Sequence, residues 1–376
     1  MADEIAEATQ GRGEYIDQPL TERNFGIVRS WLPRWCWNMA SNFANIRHEF
    51  LDEKKWHYNL AMHQGKSKGP AVILGAGPSL NETGQYLKDW KGPVFCPESM
   101  AHTCLYYEHQ PEYILLFDAH PNNYKAFLKG VDWKGSTLIT NPSATEEIGE
   151  WPYDKLYYRM KHEPKIEFSR FKAGMQLEEM AEEIKAQMLG SELFQVLMPI
   201  MFPYIECAIQ NAGCVANNAI QIANFMGFSP LFLLGLDFGY PNGNDRANGY
   251  KLVDGKWTET PTSQVNKSGR PLHRSDNGIL TTEEQIEYKL GMFSIMSIEK
   301  QQLIDCSAGI ITELPKANFA EVVANDGKGY KRDHTEIDGI ANRFFDRERQ
   351  RQTEFQAKRD DDREGEEVRA ASGGQV

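Results

Sequence analysis

Apolar residues in this chain come in short unbroken runs, separated by stretches that are apolar on one side only. Ala71-Val72-Ile73-Leu74 is continuous and apolar and stops at Gly75. A run that short, without alternation, fits a strand covered on both faces. A helical pattern follows over Leu80–Trp90, then Val94-Phe95 as a second short strand and a helix near Met100–Glu108. Tyr113-Ile114-Leu115-Leu116-Phe117 and Ser136-Thr137-Leu138-Ile139-Thr140 read as two further strands. In the second half, Val215, Ala219, Ile222, Ala223 and Met226 share one helical face and Gly227 stops that helix, as glycine does at helix ends. Leu231-Phe232-Leu233-Leu234 is the next buried strand. A helix over Thr281–Lys300 then returns to a short strand at Leu303-Ile304-Asp305-Cys306.

Strands alternating with helices at this spacing predict an α/β fold with a doubly wound, mostly parallel sheet. Three parts are expected. Residues 1–62 form an N-terminal helical segment behind an acidic lead-in, with Trp31, Trp35, Trp37 and Phe43 supplying apolar contacts and Pro33 interrupting the helix. Residues 63–326 form the α/β domain, including a charged helix at Leu177–Leu189 and a polar, turn-rich stretch from Tyr240 to Gly278 that overhangs a cleft. Turn signals in that stretch are Asn242-Gly243, Asn248-Gly249 and Asp254-Gly255, pairs suited to tight turns. Residues 327–376 are highly charged, with few apolar anchors, and read as a solvated C-terminal helix and tail.

Composition narrows the function classes. The chain has 376 residues, 41% of them hydrophobic and 25% charged, with a net charge of −12; that is the profile of a globular protein without a broad basic footprint for nucleic acid. The greasiest stretch, Leu193–Ile209, is broken by Pro199, Pro203 and Glu206 and is too short to span a bilayer. Six cysteines show neither a CxxC pair nor a metal-ligand rhythm, as expected of reduced, mostly buried thiols. With no signal-peptide pattern at the N-terminus, a cytoplasmic location is expected.

Candidate chemistry sits at strand ends. In Gly75-Ala76-Gly77-Pro78-Ser79-Leu80 the glycines allow backbone to approach a ligand closely. Pro78 and Ser79 suit the first turn of a helix whose free N–H groups favour phosphate. The turn is neither a GxGxxG fingerprint nor a P-loop. Replacing Gly77 with Val is expected to abolish nucleotide binding and leave the fold largely intact. Asp118 and Asp237 each follow an apolar strand, where α/β proteins place ligand contacts. Such aspartates bind ribose hydroxyls, hold Mg²⁺ through water, act as a base, or cap the following turn. Asn211 and Gly213 open the amphipathic helix, Asn211 as a cap and Gly213 as a second place for close approach. Cys214 lacks a partnered base. His120 and His273 are loop histidines, and no HExxH spacing marks a zinc site.

Taken in order, AVILGAGPSL, PEYILLFDAHP and NAGCVANNAIQIANFMGFSPLFLLGLDFGYPNG resemble the 6-hydroxymethylpterin diphosphokinase MptE-like family, which includes motility-associated factor (Maf) glycosyltransferases. The resemblance implies a Rossmann-like fold. It implies a nucleotide donor phosphate against Gly75, Gly77, Pro78, Ser79 and Gly213, with Asp118 and Asp237 as the catalytic aspartates. The chain has Ala76, and Cys96-Pro97-Glu98 after the second strand, where related sialyltransferases carry asparagines. The activity so implied is glycosyl transfer from a CMP-activated nonulosonate-like sugar to a protein or glycan acceptor. ATP-dependent diphosphoryl transfer to 6-hydroxymethylpterin, with Mg²⁺, is the alternative, and a non-catalytic ligand-binding or assembly protein is the third.

Overall fold

Six of the short runs lie side by side with a seventh strand in one parallel sheet. In a computed structural model, residues 20–161, 192–265, 272–299 and 302–330 are described. The predicted helix at Leu177–Leu189, the acidic lead-in and all but the first few residues of the charged tail lie outside them. The strands are β1 (Ala71–Leu74), β2 (Val94–Pro97), β3 (Tyr113–Leu116), β4 (Thr137–Thr140), β5 (Lys155–Tyr157), β6 (Arg159–Lys161), β7 (Ala208–Gln210) and β8 (Leu231–Leu234). They continue with β9 (Gly249–Val253), β10 (Lys256–Thr260), β11 (His273–Arg274), β12 (Leu280–Thr281) and β13 (Leu303–Asp305). The main sheet runs β13-β8-β1-β2-β3-β4-β5, parallel throughout. From β1 the chain steps outward through β5 and later returns to the other side of β1 with β8 and β13, so the order reverses between β1 and β8. This is the Rossmann-like, doubly wound arrangement.

Both faces of the sheet are covered, which is why its strands read as unbroken apolar runs. Val72, Leu74, Val94, Cys96, Ile114, Leu116 and Leu138 pack on one side with Met39 and Ile46 of the N-terminal helix and with Phe319 and Val322. Ala71, Ile73, Phe95, Leu115, Ile139, Leu231 and Leu233 pack on the other with Ala219, Ile220, Ile222 and Ala223 of helix Val215–Met226 and with Met292 and Phe293 of helix Glu283–Glu299. Gly227 ends helix Val215–Met226 in the left-handed conformation, as expected.

Some elements differ from the sequence reading. Helix Leu20–Arg47 runs through Pro33: proline removes one hydrogen bond, but the turns beyond it are anchored. Asn38 donates to the carbonyls of Ala119 and Ser143, and Asn42 to those of Pro142 and Ala144. Trp35 meets Phe194 and Phe43 meets Phe202 edge-on, whereas Trp37 points outward and is 55% exposed. The helix expected over Leu80–Trp90 is one α-turn, Leu80–Thr83, followed by 3-10 turns over Gly84–Asp89. β5 escaped the apolar pattern because it carries Lys155, whose buried ammonium is paired with Glu49 at 2.6 Å while the Tyr157 hydroxyl donates to the same carboxylate. The polar stretch after β8 contains the hairpin β9–β10, closed at Asp254-Gly255 with both residues at positive φ. Among the described residues no helix is long and apolar enough to cross a membrane.

Candidate functional site

The carboxyl ends of the parallel strands bring the candidate residues to one edge, where open α/β sheets hold ligands. At the reversal between β1 and β8, however, protein meets protein. The Gly75 amide donates to the Leu234 carbonyl, and the Gly77 amide to that of Gly235. The Ser79 amide donates to Asp237 Oδ2 at 2.8 Å. A Cβ at Gly75 would lie 2.4 Å from the Gly235 carbonyl oxygen, and one at Gly77 would lie 2.4 Å from Asp237 Oδ2. Both glycines are therefore required by the approach of the second strand's own turn. The helix opened by Pro78 and Ser79 is a single turn and brings little dipole. The Ala76 carbonyl accepts from Ala247 and the Asn81 side chain from the Asn248 amide. The post-β8 segment thus packs on this turn rather than overhanging it.

Asp237 is buried, and its second oxygen accepts from the Ala308 amide at 3.1 Å. Burial pushes its carboxyl up to about 6; the Ser79 and Ala308 hydrogen bonds pull it down, and the Asp305 carboxylate adds to the rise. Asp305, at the end of β13, is buried and held by the Lys316 ammonium and the Ser307 amide. Asp237 joins the turns after β1, β8 and β13. The Ser79 hydroxyl beside it is buried and makes no hydrogen bond of ordinary geometry.

Asp118 differs. It is partly exposed after β3, and its Oδ1 accepts from the His120 amide at 2.8 Å. His120 in turn accepts from the Asn122 amide and caps helix Pro121–Phe127. Across from Asp118, at the end of the adjacent strand β2, sits a carboxyl that the aspartate pattern missed. Glu98 is 5% exposed; Oε1 accepts from the Asn123 side chain, and Oε2 is buried without a partner. Burial first, then the Asp118 charge, pushes the Glu98 carboxyl up to about 8. The signal that could have found it was already in use: an acid directly after a short apolar strand.

Farther along the edge, Gly213 has φ +89 and lies under the Tyr288 ring, 2.9 Å from where a Cβ would stand. Asn211 does not cap the helix; its side chain accepts from the Gly213 amide, and the cap position falls to Cys214. Burial pushes the Cys214 thiol up to about 11, far from the range of a nucleophile. No disulfide joins any of the six cysteines, all of them among the described residues, and Cys36 is exposed. Beside this helix, the Tyr158 hydroxyl is buried against the side chains of Asn141 and Asn218. His273 is exposed in β11, 4.0 Å from Glu283. The structure thus gathers Gly75, Gly77, Pro78, Ser79 and Asp237 into one locked junction and places Asp118 and Glu98 at the ends of the neighbouring strands β3 and β2. Gly213 stands at the opening of a separate helix.

A doubly wound parallel sheet with polar groups concentrated at its carboxyl edge defines the class. Within it, a family model described as 6-hydroxymethylpterin diphosphokinase MptE-like matches residues 38–243, more than half of the chain, and the chain belongs to that family. Among solved structures the chain is similar to that of the MAf glycosyltransferase from Magnetospirillum magneticum AMB-1, with 15% identity and a TM-score of 0.42, over 76% of this chain and 42% of that one. The chain thus spans less than half the length of that protein. No curated protein matches it.

Proposed function

We propose that this protein is a group transferase that takes a phosphate-bearing nucleotide donor at the carboxyl edge of its sheet and passes a group to an acceptor hydroxyl. The observation that carries this reading is the Glu98–Asp118 pair. Transfer to a hydroxyl requires a group that takes the hydroxyl proton, and two neighbouring carboxyls with one partly exposed supply such a group. Membership of the MptE-like family supports donor chemistry of this kind. In this reading Asp118 faces the reacting groups, and Asp237 with Gly75, Gly77, Pro78 and Ser79 holds the floor of the site rigid. Gly213 and the first turn of helix Val215–Met226 flank it.

Glycosyl transfer from a CMP-activated sugar is the first form of the reaction. Tyr106 and Trp257 support it, each about two-fifths exposed near the Tyr106–Tyr250 stack, because exposed aromatic faces suit a saccharide. Diphosphoryl transfer from ATP to a pterin alcohol is the second, supported by the fit of the carboxyl pair to Mg²⁺. Thermal unfolding of the full chain with CMP, CMP-sugars, ATP and GTP, each with and without Mg²⁺, tests both. Stabilisation by CMP without metal supports the sugar donor, and stabilisation by ATP with Mg²⁺ supports diphosphoryl transfer. No shift with any nucleotide at millimolar concentration overturns the proposal.

A further inference from the structure

Helix Leu20–Arg47 reverses the usual order of its faces between Pro33 and Ala44. Its inner side is polar there: Asn38 and Asn42 are buried, and their amides bond carbonyls of the loops after β3 and β4. Pro33, Cys36, Trp37, Ala40, Phe43 and Ala44 are exposed instead. At about 100° per residue these six fall within a stripe about 120° wide, the breadth that a globular helix ordinarily presents to its core.

The segments beside the helix add to this face. Trp35 meets Phe194 and Phe43 meets Phe202 edge-on, so the helix lies along the helical segments Leu193–Leu197 and Met198–Met201. Those segments leave Ile200 69% and Val196 54% exposed, with Leu197 close behind. With Trp37 and Phe43 they open on the order of 500 Å² of apolar surface, a patch of the size that marks a contact surface on a globular protein. One side of a standard interface supplies about 800 Å², about 60% of it apolar. We propose that this face joins two copies of the chain about a two-fold axis at Ala40.

Besides its area, the stripe is self-complementary. Two antiparallel copies crossing at Ala40 set Trp37 against the partner's Phe43, and the small residue at the crossing lets the backbones approach. The stripe carries no charged side chain before Arg47, which the same axis sets over the partner's Pro33 rather than over its own copy. A lipid surface fits this face less well. Helices that lie on membranes flank their apolar side with Lys and Arg, whereas Arg47 is followed by Glu49, Asp52 and Glu53, and a net charge of −12 opposes anionic headgroups. The inner side of the same helix holds the Ala119 carbonyl, next to Asp118, and Trp31 lies edge-on to His120. A second copy on the outer side therefore braces the loop that carries Asp118.

Sedimentation velocity of the full chain at micromolar concentrations tests the interface, and a dimer is expected. Ala40→Arg puts a charge and a long side chain at the crossing and should weaken the dimer at least about tenfold. Trp37→Glu combined with Ile200→Glu should do the same. All three positions are exposed, and circular dichroism checks that the variants fold. Trp257→Ser, at an exposed aromatic of the β9–β10 hairpin, should leave the dimer unchanged. A residue on a two-fold axis meets its own copy, so Cys36→Ser combined with Ala40→Cys should be trapped as a disulfide-linked dimer by copper phenanthroline, and Cys36→Ser alone should not. A monomeric parent, or parental dimer affinity in both charge variants, overturns the interface. A dimer that persists without being trapped overturns the axis at Ala40. Cosedimentation of the parent, but not of the charge variants, with phosphatidylcholine–phosphatidylglycerol vesicles overturns the proposal in favour of lipid.

Discussion

Gly77 is the position where the geometry makes its sharpest demand. A methyl group there would stand 2.4 Å from Asp237 Oδ2, 2.6 Å from the Gly235 carbonyl oxygen and 2.8 Å from Asp237 Cγ. The Gly235 oxygen is backbone held by the Gly77 amide itself, and Asp237 is held by the amides of Ser79 and Ala308. Neither neighbour can swing aside as a flexible side chain would. Overpacking of this kind costs about 1–3 kcal/mol, and loosening the Ser79–carboxylate hydrogen bond adds about 1.5–3 kcal/mol. Gly77→Ala should therefore destabilise the folded chain by at least about 2 kcal/mol, and Gly77→Val by more. The sequence expectation that Gly77→Val leaves the fold intact is corrected, because the space it assumed for a ligand is filled by the turn after β8. Urea unfolding followed by circular dichroism gives the stability, and hydrogen exchange at the Ser79 amide reports the local bond. Gly249→Ala is the control, since a Cβ there meets Thr260 at an ordinary 3.7 Å. If Gly77→Ala stays within about 0.5 kcal/mol of the parent and Ser79 keeps its protection, the locked-junction account is wrong.

Two further outcomes follow from buried charge. Glu49→Ala leaves the buried Lys155 ammonium and the Tyr157 hydroxyl without their shared carboxylate, so thermal unfolding should show a loss of about 3–5 kcal/mol. Replacing both Glu49 and Lys155 with Met should recover most of it. Asp237 has a folded-state carboxyl near 6 against an ordinary 3.8, so the folded chain keeps a proton that the unfolded chain has released between those values. That contribution is full below about 3.8 and is lost as pH rises through about 6. The stability of the parent relative to Asp237→Asn should accordingly fall between pH 4 and 6 and level off above, as read by urea unfolding across that range. A difference that is flat with pH removes the buried-carboxyl account.

How far the fold could be read from the sequence depended on whether a strand's burial was simple. β1, β3, β4 and β8 announced themselves because both their faces meet apolar layers, and helix Val215–Met226 because one face does. β5 was hidden because its first residue is a lysine, buried only through a glutamate 106 positions away in the chain. No local pattern reports such a pairing. The one-turn helix at Leu80 was equally out of reach. Its pattern runs on to Trp90, but a Cβ at Gly84 would meet the Tyr107 ring at 2.3 Å, and that neighbour is set by tertiary packing.

The site was legible in part, and the part that failed is instructive about glycine. Gly75 and Gly77 were read as room for a ligand's approach, yet Gly235 follows Leu234 just as Gly75 follows Leu74. Two glycine turns at the ends of adjacent parallel strands can satisfy each other, and here the carbonyl of one receives the amide of the other. The same reasoning moves attention outward along the edge. Where strand ends lock together, their backbone amides are already bonded within the protein; where they leave a carboxyl oxygen buried and unpartnered, as at Glu98, an interaction is left to be made. Asp237 and Asp118 looked alike as acids after apolar strands, but one has both oxygens committed to backbone amides and the other shares its end of the cleft with Glu98. The buried carboxyl that the sheet leaves unsatisfied therefore lies between β2 and β3, one strand away from the reversal that first drew attention to this edge.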